Sequence, residues 1–247
     1  MVSRRVFLAS SYTAIGCFCG GARKKRHSNR TGCLGLSASA GGSFLDSSFA
    51  TSGESVIDEF CASEHQSLQN LFSLNCALSY YDDSDAPNAV ALSSSRDPAR
   101  PDGTIVIGVS LARMLIARRT DMLELACVMA HEVGHIMQYK KNFLSSWVIK
   151  NELSADYLAG WYIAKTRRLN RQSVENLSGW FKEIGDIAFT EEDHHGTPWQ
   201  RSKIFMRGAG IVGDEFSEGE GRDVLSPDDS ISEAFTNALS ITGADGG

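Results

Sequence analysis

The sequence predicts a mostly helical α+β domain with a small antiparallel sheet. Long stretches carry apolar residues at helical spacing, and two short β-prone runs are separated by a loop that contains Pro, Asp and Gly. The hydrophobic content of 42% and the charged content of 22% are ordinary for a globular protein. Because 247 residues can bury one good core, we expect one domain with tails.

The folded body is expected at residues 54–213, between two regions that have few large apolar side chains. Residues 23–53 are rich in Gly, Ser and Ala and are predicted to be a disordered linker. Residues 214–247 mix acids, Gly and Ser, and they are predicted to be a loosely ordered acidic tail with one marginal helix around Ile231 to Leu239.

The chain begins with a basic segment. The first 30 residues carry seven Arg or Lys and no acid, which leaves 17 basic and 30 acidic residues in the rest. The run Ser-Arg-Arg-Val-Phe-Leu at 3–8 resembles the twin-arginine export signal, so residues 1–22 are predicted to direct the protein to the periplasm or another extracytoplasmic site. Because Ala-Ile-Gly-Cys at 14–17 resembles a lipid-attachment box, Cys17 is a candidate lipid anchor. The acidic body makes nucleic acid an unexpected partner.

The first elements of the body are predicted to be one helix and a strand pair. A helix ending near Asn75 is indicated by apolar residues at near-helical spacing, namely Val56, Ile57, Phe60, Leu68, Leu71 and Phe72. Turn-forming residues follow at 82–87. The β-prone runs at 88–92 and 104–108 then predict a small antiparallel pairing.

Helices are predicted from residue 110 onward. An amphipathic helix is expected at 110–118, and Asp121 with Glu124 three residues later is typical of an N-cap for the next helix. That next helix should run through the core, because it is apolar almost all round at Met122, Leu125, Val128, Met129, Val133, Ile136 and Met137. A further helix is predicted at about 147–168.

The segment His131-Glu132-Val133-Gly134-His135 is the strongest chemical signal. Histidines four residues apart on a helix lie nearly above one another, so both can reach one metal ion at about 2.0 to 2.1 Å. Glu132 is rotated by about 100° from His131, which suits a general base that takes a proton from the water activated by the metal. With six His in the chain, a chance match is on the order of one per cent. The alternative is two histidines satisfied by ordinary core or surface contacts.

The following helix supplies a third candidate ligand. Glu152 completes a His, His, Glu set, which recurs at catalytic zinc sites and leaves a fourth position open. Asp156 lies one turn further on the same face, where it could accept a hydrogen bond from the far nitrogen of a ligating His. A solvated acidic face is the alternative, but close helix packing is indicated by Ala155, Ala159 and Gly160.

Together these motifs resemble the gluzincin clan of zinc metallopeptidases, in particular the HtpX-like peptidase family and the related neutral zinc metallopeptidases. The resemblance covers roughly 78–208 and includes Pro-Asn-Ala-Val-Ala-Leu at 87–92 and Glu-Leu-Ser-Ala-Asp-Tyr-Leu-Ala-Gly at 152–160. Unlike the integral-membrane members, the sequence has no hydrophobic span of membrane length.

The resemblance implies a zincin-like fold that acts on protein or peptide substrates. It implies His131, His135 and Glu152 as ligands of one Zn²⁺ ion, Glu132 as the catalytic base and Asp156 as a supporting residue behind the ligands. The expected activity is that of a metalloendopeptidase.

Two further segments carry candidate residues through the same resemblance. The edge strand near Asn88 is expected to bind the substrate backbone by β-addition. The segment 194–201 resembles the His-Gly-Thr and Arg signature of the neutral zinc metallopeptidases, and His195 or Arg201 could stabilise the oxyanion. Thr197 as N-cap with Pro at the first helical position predicts a helix start, so a capped surface helix is the alternative.

Two other functions remain open on the sequence. One is a catalytically silent envelope factor for binding or quality control that keeps the zincin fold, although Glu132 argues against it because a structural metal site needs no general base. The other is a metal-dependent hydrolase of a non-peptide amide or ester, which the same ligand set would serve.

Overall fold

The computed structural model describes residues 45–84, 87–118, 121–167, 169–183, 196–212, 215–216 and 227–242. The helices are α1 (Ser55–Phe72), α2 (Val109–Arg118), α3 (Leu123–Lys141), α4 (Val148–Thr166), α5 (Arg171–Glu183), α6 (Pro198–Gly208) and α7 (Pro227–Thr242). The strands are β1 (Ala77–Tyr81), β2 (Ala89–Leu92), β3 (Thr104–Gly108), β4 (Ile211–Val212) and β5 (Glu215–Phe216). The mostly helical α+β class is confirmed.

Two predictions about location fall on residues outside this description. The export signal at 1–22 and the lipid anchor at Cys17 lie before residue 45, and both stay predictions. Among the described helices, none is both long enough and apolar enough to cross a lipid bilayer.

The main sheet is mixed, which corrects the prediction of a purely antiparallel one. The predicted pairing of β2 with β3 is confirmed as antiparallel, with Val90 opposite Val106. On the other side of β3, β1 pairs in parallel, so the strand order is β1-β3-β2. The predicted opening helix stops at Phe72 rather than near Asn75, because Ser73 adopts a left-handed conformation with φ 52° that turns the chain towards β1.

The core is built around α3 and α4. Every residue of α3 from Leu123 to Gln138 is buried, which confirms its predicted course through the core. Every residue of α4 from Asn151 to Ile163 is also buried. The sheet packs against α3 through β2 and β3, while α4 packs against α3, α6 and α7. Polar residues on these two helices therefore lie in a medium of low dielectric constant.

The start of α3 differs from the predicted N-cap. The helix begins at Leu123, and Met122 before it takes a left-handed conformation with φ 53°. Asp121 caps from one residue further back, since its carboxylate accepts a bond of 3.3 Å from the Leu123 amide. Glu124 pairs with Arg118 at 3.2 Å, so the predicted box of Asp121 and Glu124 does not form.

Close packing of the small residues on α4 is confirmed at its crossing with α6. A Cβ atom added at Gly160 would lie 2.1 Å from the Phe205 carbonyl oxygen, and one at Gly208 would lie 2.0 Å from the Tyr157 carbonyl oxygen. The backbones of the two helices are therefore in direct contact. Only glycine permits this approach, because any side chain would separate the helices.

Parts of the predicted linker and tail pack against the body. Leu45 is buried, and Phe49 exchanges two backbone hydrogen bonds of 2.8 Å with Tyr80 at the outer edge of β1. In the tail, α7 is longer than the predicted marginal helix and buries Ile231, Ala234 and Ala238 in the core. Phe49 thus pairs with the outer edge of β1, and the other edge strand, β2, packs against α3.

Candidate metal centre

Three side chains from α3 and α4 converge at one buried point. The Nε2 atoms of His131 and His135 are 3.1 Å apart. His131 Nε2 lies 3.4 Å from Oε2 of Glu152, and His135 Nε2 lies 3.4 Å from Oε1 of the same carboxylate. Donors held tetrahedrally around a zinc ion at its usual bond lengths are about 3.3 to 3.5 Å apart. The spacing of these three groups therefore fits one small cation.

The crossing of α3 with α4 brings these ligands together. Gly134 lies between the two histidines, and a Cβ atom there would be 3.0 Å from the Cα of Ala155. Because both positions carry small residues, the α3 and α4 backbones approach closely at the height of the site. A single turn of α3 and the first turns of α4 thus supply all three ligands.

The Nδ1 atom of His131 is fixed by Asp156. One oxygen of the Asp156 carboxylate lies 2.8 Å from Nδ1. Burial acts to raise the pKa of Asp156, but the charge and hydrogen bonds of Arg201, together with His131, hold it below its usual value. An ionised carboxylate can only accept, so Nδ1 carries the proton and donates it. In neutral His131 the lone pair is therefore on Nε2, the atom that faces His135 and Glu152.

Gln138 fixes His135 in the same way. The side-chain amide nitrogen of Gln138 donates to the Asn151 carbonyl and to Ser154 Oγ, both at 2.8 Å. The amide oxygen of Gln138 must therefore face His135 Nδ1, which lies 2.9 Å away. Burial foremost lowers the pKa of His135 to about 4, which keeps the ring neutral. The Nε2 atom of His135 therefore also presents a lone pair.

The site consequently gathers three electron-pair donors in a buried space. His131, His135 and Glu152 are at most 3% exposed, and three such donors repel one another unless a cation lies among them. A proton can take that place, because bonds to Asp156 and Glu152 outweigh the effect of burial and raise the pKa of His131 to about 10. A divalent metal that prefers imidazole and carboxylate ligands would replace this proton.

Glu132 lies beside the ligands without joining them. It is fully buried, and burial foremost raises its pKa to about 7. The backbone of Ala91 on β2 hydrogen-bonds to its carboxyl group, which acts to lower that pKa. A carboxyl group with a pKa near neutrality can both take up and release a proton at physiological pH. The site thus contains two acids in different settings: Glu152 lies among the candidate metal ligands, and Glu132 has a pKa near neutrality.

Arg201 is placed behind the site. The predicted capping box of Thr197, Pro198 and Gln200 is confirmed at the start of α6. Arg201 follows it, is buried, and donates two hydrogen bonds of 2.7 Å to the Asp156 carboxylate. The structure therefore gives Arg201 a partner other than a substrate oxyanion. His195, the other residue predicted for that role, lies outside the described residues.

Asn88 precedes the edge strand and has its backbone groups in use. Its amide donates to Asp83 and its carbonyl accepts from Gly108, both at 3.0 Å. Backbone groups alternate in direction along an antiparallel strand, so the groups that point away from β3 belong to Ala89 and Ala91. The Ala91 backbone is already bonded to Glu132 and Tyr139, so the edge offered to an extended chain lies at Ala89, one residue later than predicted.

Two residues at the site were missed from the sequence. Gln138 follows His135 by three positions and so lies on the same helix face, which is a signal that could have found it. Tyr139 donates to the Ala91 carbonyl at 3.3 Å and thereby ties β2 to α3. No spacing rule predicts that second contact, because it joins residues 48 apart in sequence.

Comparison of the chain with protein-family models, with curated proteins and with solved structures gave no significant match. The positions and chemistry of the site residues are therefore the basis on which a function is proposed.

Proposed function

We propose that this protein is a zinc-dependent metallopeptidase of the gluzincin type. The observation that carries the proposal is the convergence of His131, His135 and Glu152 in a buried space. The two Nε2 atoms are 3.1 Å apart, and each lies 3.4 Å from a different oxygen of the Glu152 carboxylate. Two imidazole nitrogens and a carboxylate are a recurrent protein ligand set of catalytic zinc. A hydrogen-bonded carboxylate or amide holds each imidazole in the tautomer that a metal requires.

The ion would supply Lewis acidity. When bound, zinc lowers the pKa of a coordinated water towards 7 and polarises the carbonyl group of a substrate. Zinc is favoured over iron or manganese by the ligand type, and the sequence resemblance favours it too.

Glu132 would move the proton. Its carboxylate accepts a proton from the attacking water and delivers it to the leaving amine, which converts a poor leaving group into a neutral one. The raised pKa of about 7 suits both steps, because the group is neither permanently ionised nor permanently protonated. The bond from Ala91 fixes the carboxyl group relative to the edge strand.

The edge strand β2 supports a peptide as the substrate. Its outer edge runs beside α3, and the backbone groups of Ala89 point away from β3. An extended peptide that pairs with this edge would pass next to Glu132, which is bonded to Ala91 two residues further along. This arrangement favours a peptide over a small ester or amide.

A single pair of variants tests the proposal. Glu132→Gln should keep the zinc content of the wild type but lose casein cleavage by about 10²-fold or more, because the proton acceptor is removed and the ligands are not. The matched control is Glu124→Gln, a buried glutamate on the same helix that pairs with Arg118 outside the site. It should retain both zinc and cleavage.

The outcomes separate the alternatives. Full activity in a zinc-loaded Glu132→Gln variant would refute the mechanism. A wild-type protein that binds zinc but cleaves neither casein nor a peptide library would favour the silent binding factor. Cleavage of amide or ester substrates without cleavage of peptides would favour the non-peptide hydrolase.

A further inference from the structure

An apolar pair projects from the loop at 142–147, which joins α3 to α4. The side chains of Leu144 and Trp147 are 49% and 58% exposed. Among the described residues, the other large exposed apolar side chains occur singly in sequence, namely Phe49, Val56 and Trp199. This loop, called the Trp147 loop below, is therefore the one described connection that exposes two such side chains three residues apart.

The Trp147 loop is held in one conformation. The Asn151 side chain accepts from the Ser145 amide and donates to the Ser145 carbonyl, both at 2.8 Å. The Trp147 amide donates to Ser145 Oγ at 3.1 Å, and the Phe143 amide donates to the Gln138 carbonyl at 2.9 Å. Because these bonds fix the backbone, the loop cannot readily turn Leu144 and Trp147 inward, and their exposure costs free energy unless they meet a partner.

The charge around the loop has the opposite sign to that of the body. From residue 139 to residue 150 the sequence contains Lys140, Lys141 and Lys150 and no acid, whereas residues 31–247 carry a net charge of −13. Lys150 lies over the Trp147 ring, with its Nζ 4.0 Å from the ring centre. Lys140 pairs with Asp102 at 2.8 Å. Asp102 balances the charge of Lys140, so the positive charge directly beside the apolar pair is that of Lys150.

We propose that the Trp147 loop docks the protein on an anionic lipid bilayer. Tryptophan with leucine suits the boundary between headgroups and acyl chains, and lysines beside them attract anionic headgroups. The net negative charge of residues 31–247 disfavours approach to such a surface by the acidic faces of the protein, so the basic loop also favours one orientation. This inference goes beyond the proposed enzymatic function and does not depend on the metal.

Docking through this loop would hold the candidate site at the membrane surface. Trp147 lies five residues before Glu152 on the same segment, and α3 leads from His135 directly into the loop. A substrate that lies on or projects from the bilayer would then be held near the candidate site.

The experiment exploits the two exposed tryptophans of the full chain. Trp161 and Trp180 are buried, so Trp147 is the exposed tryptophan of a Trp199→Phe variant, and Trp199 is that of a Trp147→Phe variant. Each is mixed with vesicles of phosphatidylcholine that contain about 30% phosphatidylglycerol and lipids brominated on the acyl chains. The Trp199→Phe variant should show blue-shifted and quenched emission, and the Trp147→Phe variant should show neither.

Binding itself is measured by co-sedimentation with the same vesicles. Leu144→Ser/Trp147→Ser should bind about tenfold more weakly than the wild type, and Lys150→Gln about fivefold more weakly. The matched control is Trp199→Ser, since that exposed tryptophan also carries a lysine, Lys203, over its ring at 4.1 Å. It should bind like the wild type.

Several results would overturn the proposal. One is co-sedimentation with vesicles without quenching of Trp147 emission, which would mean that another part of the chain, such as the basic N-terminus, binds the membrane. Another is the absence of binding to anionic vesicles. A third is a dimer that the Leu144→Ser/Trp147→Ser change converts to a monomer, which would make the loop an interface between two copies of the chain. Zinc content and casein cleavage in solution should be unaffected by these substitutions. Failure of the membrane-docking proposal can therefore be distinguished from failure of the proposed peptidase function.

Discussion

Arg201 on α6 and Asp156 on α4 form a buried ion pair through two parallel hydrogen bonds of 2.7 Å. Asp156 in turn accepts from Nδ1 of His131 on α3 at 2.8 Å. One carboxylate therefore joins three helices directly behind the candidate metal site. Its two partners satisfy a charge that would otherwise be costly at this depth.

Loss of this ion pair should be strongly destabilising. Arg201→Met leaves the Asp156 charge buried with one partner removed, and we expect the free energy of unfolding to fall by about 3 to 5 kcal/mol in urea titrations. Arg96→Met, which removes an exposed ion pair with Asp46, is the control and should cost less than about 1 kcal/mol. Equal losses of unfolding free energy in the two variants would show that the buried ion pair of Arg201 stabilises the fold no more than an exposed one.

Gln138 should control metal affinity without touching the metal. Gln138→Leu removes the acceptor for His135 Nδ1, so the ring loses its fixed tautomer and orientation. We expect zinc affinity, measured by competition with a chromophoric chelator, to fall by about 10- to 100-fold. Gln66→Leu, at an exposed glutamine that bonds to Asn70, should leave the affinity unchanged. An unchanged zinc affinity in Gln138→Leu would show that Gln138 does not orient His135 for the metal.

Two helical glycines should respond in opposite directions to alanine. Gly160→Ala would place a methyl group 2.1 Å from the Phe205 carbonyl oxygen, so α4 and α6 must separate, and we expect a loss of about 3 kcal/mol or more in unfolding free energy. Gly179→Ala on α5 meets no atom within 4 Å and should stabilise by about 0.5 to 1 kcal/mol. Stabilisation by both substitutions would contradict the direct contact of the α4 and α6 backbones.

His65 should make the protein sensitive to acid. It is buried beside Cys76, with 3.4 Å between Nε2 and Sγ, and burial foremost, with the charge of Arg100, lowers its pKa from 6.5 to about 4. The folded state requires the neutral ring. The stability that depends on neutral His65 is therefore fully present above pH 6.5 and is lost progressively as the pH falls towards 4. Relative to His65→Gln, the wild type should lose about 1.4 kcal/mol per pH unit over this range.

The measurement for His65 is urea unfolding of both proteins between pH 7 and pH 4, with a chelator present so that release of metal does not contribute. The difference between the two proteins removes the contribution of every other titrating group they share. Parallel stability curves for the two proteins would contradict the shifted pKa of His65.

The sequence predicted best those features that depend on spacing within one helix. His131 and His135 are four residues apart, and Glu152 and Asp156 repeat that spacing on α4, so each pair had to share a face once the helices formed. The capping box at Thr197 was equally local. These features need no knowledge of the tertiary structure, because helix geometry alone determines them.

Features that depend on contacts between distant segments were not predictable in this way. The parallel pairing of β1 with β3 depends on the helix ending at Ser73, whose left-handed conformation no residue pattern marked. The ion pair of Arg201 with Asp156 joins positions 45 residues apart in sequence. The sequence had instead suggested oxyanion stabilisation as a role for Arg201. Only the packing of α6 against α4 shows why that arginine is buried.

The most direct test of the central claim is the zinc content of the purified protein together with X-ray absorption at the zinc edge. The wild type should hold about one zinc ion per chain with nitrogen and oxygen ligands at about 2.0 to 2.2 Å, and Glu132→Gln should match it. His131→Ala/Glu152→Gln should lose the ion. If that double variant holds zinc as well as the wild type does, the ion is bound elsewhere and the site described by His131, His135 and Glu152 is not a metal centre.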